Sequence, residues 1–114
     1  AVRQKPSLRF YTAALAWERV WQLAKEQPDP FRSTTDQRCI MSCAEVYFRL
    51  VNQPERDPEK EKTLLELAST HRHAAWKIPS EHKSQKLQAL MMGYCPHLGA
   101  KVWKLVRWVK GLKN

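Results

Sequence analysis

Glycine is scarce, with three residues in a chain of 114. An all-β fold needs tight turns at every hairpin, so this scarcity argues against one. No stretch approaches the run of ~18 apolar residues that a membrane-spanning helix requires. Three cysteines cannot form a fully paired disulfide framework. Free thiols without a secretion-signal pattern point to a reducing, cytosolic setting. A glycine-rich phosphate loop, a nucleophile elbow and a paired-carboxylate motif are all missing, so we expect no self-contained enzyme, cofactor or small-molecule substrate. Finally, no acidic residue follows Glu81.

What is present belongs to one globular domain. The length fits a single core, and 43% hydrophobic with 27% charged residues excludes a disordered tail. The chain opens on Ala1, which suggests a processed chain or a piece of a longer one. Its formal net charge of +9 is unevenly placed: seven Lys and Arg lie beyond Glu81, so the first 81 residues carry only +2. A partner surface is therefore sought at the C-terminus, and it should meet something negative.

The hydrophobic periodicity predicts five helices joined by short loops, an all-α irregular bundle. The first spans about Ser7 to Glu26, with Ser7 as its cap and Phe10, Ala14, Trp17, Trp21 and Ala24 on one face. Glu18, Arg19, Gln22 and Lys25 lie off that face, and Pro28-Asp29-Pro30 ends the helix. The two tryptophans read as core. The second begins near Thr34, where Thr34 and Gln37 have capping-box spacing, and carries Ile40, Cys43, Ala44, Tyr47, Leu50 and Val51 in a stripe. After a polar loop, Asp57 caps a third helix with Pro58 at its first position and Glu59 and Glu61 in its first turn. That helix places Leu64, Leu67, Ala68, His71, Ala75 and Ile78 inward and stops at Pro79. A fourth runs from about Ser80 to Met92, with Leu87, Leu90, Met91 and Tyr94 inward and Gly93 as its C-terminal cap. The fifth covers about Leu98 to Lys110.

Two clusters invite chemistry. Cys39 and Cys43 share a helix face, and Cys95 with His97 would complete a four-ligand set. Structural zinc draws paired ligands from turns, however, so these read as ordinary core or boundary cysteines and no metal site is expected. His71 lies in an apolar stripe, the position of a hydrogen-bonded core histidine, whereas His73 points to solvent. The acidic residues cluster between Glu55 and Glu66, and no local pattern pairs any of them with a histidine.

The last helix carries the more specific pattern. Leu98, Val102, Leu105, Val106, Val109 and Leu112 fall within an arc of about 120°. Lys101, Lys104, Arg107 and Lys110 occupy the other side, with Trp103 and Trp108 at the borders. Tryptophan favours such borders because its ring is apolar and its indole N–H is polar. An apolar face, a basic face and flanking tryptophans describe a helix that can lie on an anionic membrane surface, peripheral to the cytoplasmic face. Three readings compete: membrane contact, docking into a partner protein's groove, and a small nucleic-acid-binding or ribonucleoprotein subunit. In the last, Lys83, Lys86 and the helix's cations would meet phosphates. Arg107 is the lone arginine of this basic third, so nucleic-acid binding would be backbone-driven. The feature that separates the readings is whether the domain's own core covers the apolar face.

Two stretches also carry a family resemblance. Ser7-Leu8-Arg9-Phe10-Tyr11 with Ala14-Leu15-Ala16-Trp17-Glu18-Arg19-Val20, and the closing run from Lys101 to Lys110, resemble the helical region that follows the catalytic domain of bacterial family-two glycosyltransferases. The likeness covers the chain as a pattern of helices. It implies a non-catalytic accessory domain that places a transferase near lipid-linked acceptors or anionic lipid. The paired aspartates that hold metal and nucleotide sugar in that family have no counterpart, because Asp29, Asp36 and Asp57 stand apart.

Overall fold

Proline and aspartate punctuate the chain into five helices. The computed structural model describes residues 6–54 and 56–113, with side chains placed for 9–54 and 56–111. The helices are α1 (Pro6–Ala24), α2 (Phe31–Val51), α3 (Pro58–His71), α4 (Lys83–Tyr94) and α5 (Pro96–Lys113). A 3₁₀ segment, Arg72–Lys77, follows α3 directly. No strand occurs among the described residues, and the all-α bundle expected from periodicity is what forms.

The longest helix, α2, sits at the centre and packs against α1, α3, α4, α5 and the 3₁₀ segment. Its stripe is the reason: Ile40, Cys43, Ala44, Val46, Tyr47, Phe48 and Leu50 are all buried. Around it gather Ala14 of α1, Leu64 and Ala68 of α3, Ala74, Ala75 and Ile78, and Ala89 and Met92 of α4. Each large apolar side chain so buried contributes roughly 1.5–3 kcal/mol. Trp17 and Trp21 lie on the inner side of α1 but remain half-buried.

Several boundaries differ from the sequence expectation, each for a local reason. Ser7 already belongs to α1, which starts at Pro6, so it does not precede the helix as a cap. Helix α2 starts three residues before Thr34 because Asp29 supplies the capping oxygen. Its Oδ1 accepts from the Ser33 backbone N–H at 3.1 Å and from the Ser33 hydroxyl at 2.6 Å. The Asp57 cap of α3 forms as expected, its carboxylate accepting from the Lys60 N–H at 3.2 Å. Helix α3 does not run on to Ile78. It ends at His71, and the tighter 3₁₀ turn tucks Ala74 and Ala75 into the core.

The inward face of α4 is rotated from the expected one. Met91 is buried and Leu90 packs against the core as expected, but Ala89 and Met92 are buried while Leu87 and Tyr94, expected inward, are exposed. Alanine and glycine decide this, because they allow close approach of neighbouring backbone. A Cβ on Gly93 would lie 2.6 Å from Arg72 Cβ and 3.2 Å from Arg72 Cα. Gly93 therefore does not cap α4; it lies within the helix, where its missing side chain lets the 3₁₀ segment nest.

Candidate functional site

The N-terminal half of α5 is docked and the C-terminal half is free. Docking runs through Gly99, where a Cβ would stand 2.7 Å from Phe48 Cζ and 2.9 Å from Met91 Cβ. Only a residue without a side chain lets the helix lie this close to α2 and α4. Asn52, which caps the end of α2, fastens the contact, its Nδ2 donating to the Phe48 carbonyl at 2.8 Å and the Ala100 carbonyl at 3.4 Å. Ala100, Val102 and Trp103 complete it, half-buried against the core.

From Lys104 to Gly111 every residue is exposed. At 1.5 Å per residue, the stretch from Lys104 to Lys113 extends about 15 Å past the last core contact. Its apolar side is uncovered: Leu105 is 58% exposed and Trp108 61%, with Val106 and Val109 also open to solvent. Leu98, at the docked end, is exposed as well. The helix therefore does not pack through the arc of Leu98, Leu105 and Val109, but through the neighbouring side bearing Gly99 and Trp103. Leu112 lies outside the residues whose side chains are described.

This placement separates the six expected contact residues. Lys101, Lys104, Arg107, Trp108 and Lys110 are exposed, whereas Trp103 is partly taken up by the core. The Arg107 guanidinium sits over the Trp103 ring at 5.4 Å from its centroid. Among the described residues, none of the ion pairs involves a cation of α5. Many of the domain's carboxylates are occupied elsewhere: Asp29 with Arg32, Glu45 with Arg49, Asp57 with Lys60 and Glu61 with Arg56. The α5 cations thus form an uncompensated surface; Lys83 and Lys86 line a separate open depression with Leu87 and Leu90.

A second site, invisible in the local sequence, lies between α1, α2 and α3. His71 is fully buried, as its stripe position implied, and both its ring nitrogens face carboxylates. Nδ1 lies 2.6 Å from Asp36 Oδ1, and Nε2 lies 2.6 Å from Glu18 Oε2. The edge of Trp21 packs on the imidazole, ring centroids 5.2 Å apart. Burial alone would lower the affinity of His71 for a proton. Hydrogen bonds with Asp36, Cys39 and Glu18 outweigh it and raise the pKa from 6.5 to about 10. His73 is solvent-facing as expected, yet its Nε2 also reaches Asp36 Oδ2 at 3.1 Å. Two histidines thus share one buried aspartate.

The cysteines divide. Cys39 and Cys43 are buried and Cys95 is half-buried, all as free thiols. Burial pushes the Cys43 thiol up to about 12, the state of an inert core residue. Cys39 donates to the Trp17 carbonyl at 3.4 Å and borders His71. Among the described residues, the potential metal ligands that gather are Glu18, Cys39 and His71. Cys43, Cys95 and His97 do not join them.

No family model, curated protein or solved structure matches the chain. No helix among the described residues is long and apolar enough to cross a membrane.

Proposed function

We propose that this is a non-catalytic accessory domain that binds an anionic membrane surface through the free half of α5. The observation that carries this reading is the helical projection beyond Trp103, apolar along one side, basic along the other, and uncovered by its own core from Lys104 to Gly111. Lys101, Lys104, Arg107 and Lys110 attract anionic headgroups, at about 1 kcal/mol each near the surface. Leu105, Trp108 and Val109 supply the apolar insertion. Neither contribution holds firmly alone, and together they make a two-signal anchor.

Nucleic acid would use the same cations but would leave Leu105 and Trp108 solvated. A protein groove would use the apolar side, yet it gives no reason for an unbroken basic flank. The family-two glycosyltransferase resemblance fits a domain that holds a parent transferase near lipid. That part of the proposal rests on the resemblance alone.

The test is co-sedimentation with neutral and anionic vesicles, comparing the full chain with one ending at Trp103. This end point keeps Gly99, Ala100 and Val102 in place, so the core remains intact. Binding confined to anionic vesicles, weakened by salt and lost on truncation, is the expected result. Absence of vesicle binding by the folded full chain refutes the proposal, and tight binding to a short duplex at matched salt would then favour the nucleic-acid reading.

A further inference from the structure

We propose that Glu18, Cys39 and His71 form a site for a divalent transition-metal ion of the zinc class. The three ligand atoms lie within 4.8 Å of one another. Thiolate, imidazole and carboxylate are the donor types that zinc accepts, with bonds of roughly 2.0–2.3 Å. Such bonds place tetrahedral ligands ~3.5 Å apart, so the Glu18 carboxylate must withdraw by roughly 1 Å from its present contact with Nε2. Glu18 can do this because it is the one ligand with a solvent-facing side chain, 20% exposed, while His71 and Cys39 are fixed in the core. That same edge admits the ion and leaves a fourth position for water.

The surroundings of the imidazole point the same way. A metal-binding histidine presents one nitrogen to the ion and donates the other N–H to a carboxylate, which fixes its tautomer. Asp36 Oδ1 already holds Nδ1 at 2.6 Å, leaving Nε2, directed at Glu18, for the ion. Asp36 is 6% exposed and belongs to α2, so the arrangement is rigid.

Proton and charge balance are favourable. Binding releases one proton from His71 Nε2 and one from the Cys39 thiol, which becomes a thiolate under the metal's charge. A dication replaces two protons, so the formal charge of the buried cluster is unchanged. The ion therefore adds no uncompensated charge to the core, which is the usual obstacle to burying one.

Titration of the chelator-treated full chain with Co(II) provides the test. The expected result is one equivalent bound, with tetrahedral visible absorption, a sulfur-to-metal charge-transfer band and two protons released per ion. Excess zinc should bleach both features. Cys39→Ser should abolish the charge-transfer band, whereas Cys43→Ser and Cys95→Ser keep it. Should Cys39→Ser fail to fold, Glu18→Gln serves instead, with the band retained and zinc affinity reduced at least tenfold. A folded wild-type chain that shows no charge-transfer band overturns the proposal. So does a band that disappears in Cys95→Ser and persists in Cys39→Ser, or a Glu18→Gln chain with unchanged affinity.

Discussion

Replacing Gly99 with alanine should loosen the helix that carries the proposed membrane contact. In an open helix the change is favourable, since alanine exceeds glycine by roughly 1 kcal/mol in helix propensity. Here the new methyl would stand 2.7 Å from Phe48 Cζ, and 2.9 Å from both Phe48 Cε1 and Met91 Cβ. Neither neighbour can yield cheaply. Phe48 is fully buried and packed edge-on to Tyr47 at 6.0 Å, while the Met91 contact is at the root of its side chain. Overpacking of this kind costs about 1–3 kcal/mol, so after the propensity gain the net effect is a loss of up to about 2 kcal/mol. For a chain of this length that is a fall in Tm of up to roughly 10 °C, where an open site would show a rise. Gly111→Ala is the internal control, because nothing lies within 4 Å of its Cβ position. The same substitution there should be neutral or slightly stabilising. Thermal unfolding followed by circular dichroism reads both. If Gly99→Ala raises Tm as much as Gly111→Ala, α5 does not dock as described.

Gly93→Ala should be harsher than Gly99→Ala, because the obstacle includes Arg72 backbone, and a loss of about 2–3 kcal/mol in urea unfolding is expected. His71→Ala strips the shared partner from Glu18 and Asp36. We expect about 3 kcal/mol of destabilisation, moderated by the exposed edge of Glu18 and by His73, and an unchanged urea midpoint would refute the ion-pair account. Replacing Lys104, Arg107 and Lys110 together with glutamine should weaken anionic-vesicle partitioning roughly 100-fold, at about 1 kcal/mol each, and leave Tm unaltered. Loss of stability instead would mean that these cations have partners within the fold. Alkylation of the native protein should label Cys95 and spare Cys43, whose thiol stays protonated to about pH 12; mass mapping that finds Cys43 modified at pH 8 contradicts its burial.

The start of α3 was legible because its signals agree at every level: an apolar stripe, Pro58 at the first position, Asp57 before it. The stripe of α2 was legible too, but its start was not, because Thr34 and Gln37 have capping-box spacing while Asp29 supplies the oxygen. Helix α4 was misread by hydrophobicity alone. Leu87 and Tyr94 outrank Ala89 in hydrophobicity or size, yet close packing selects the small side chain. Only the approach of Arg72 to Gly93 reveals this, and that is a tertiary fact. The His71 cluster was half legible. Its burial followed from periodicity, but Asp36 and Glu18 lie 35 and 53 residues away in the chain. One signal was present: Asp36 stands four residues before Ile40 and seven before Cys43, inside the α2 stripe. A carboxylate in one stripe and a histidine in another need each other. Glu18, expected off the apolar face of α1, carried no such signal.

The division of α5 into a docked and a free half also bears on why charge and apolar surface occur together there. A purely apolar projection of two turns would tend to self-associate, since exposed Leu105, Val106, Trp108 and Val109 adjoin one another along the helix. Like-charge repulsion between the basic flanks of two copies opposes that, and it falls away where the opposing surface is anionic. The same cations thus keep the projection solvated when free and favour one class of partner when bound. Compensation within the fold would cancel both effects, because a carboxylate paired with Lys104 or Arg107 would weaken repulsion and attraction alike. The absence of acidic residues beyond Glu81 is therefore a requirement of the proposed function. With a Debye length of about 8 Å at physiological salt, only carboxylates within about that distance could compensate the projection, and none of the ion pairs among the described residues involves a cation of α5.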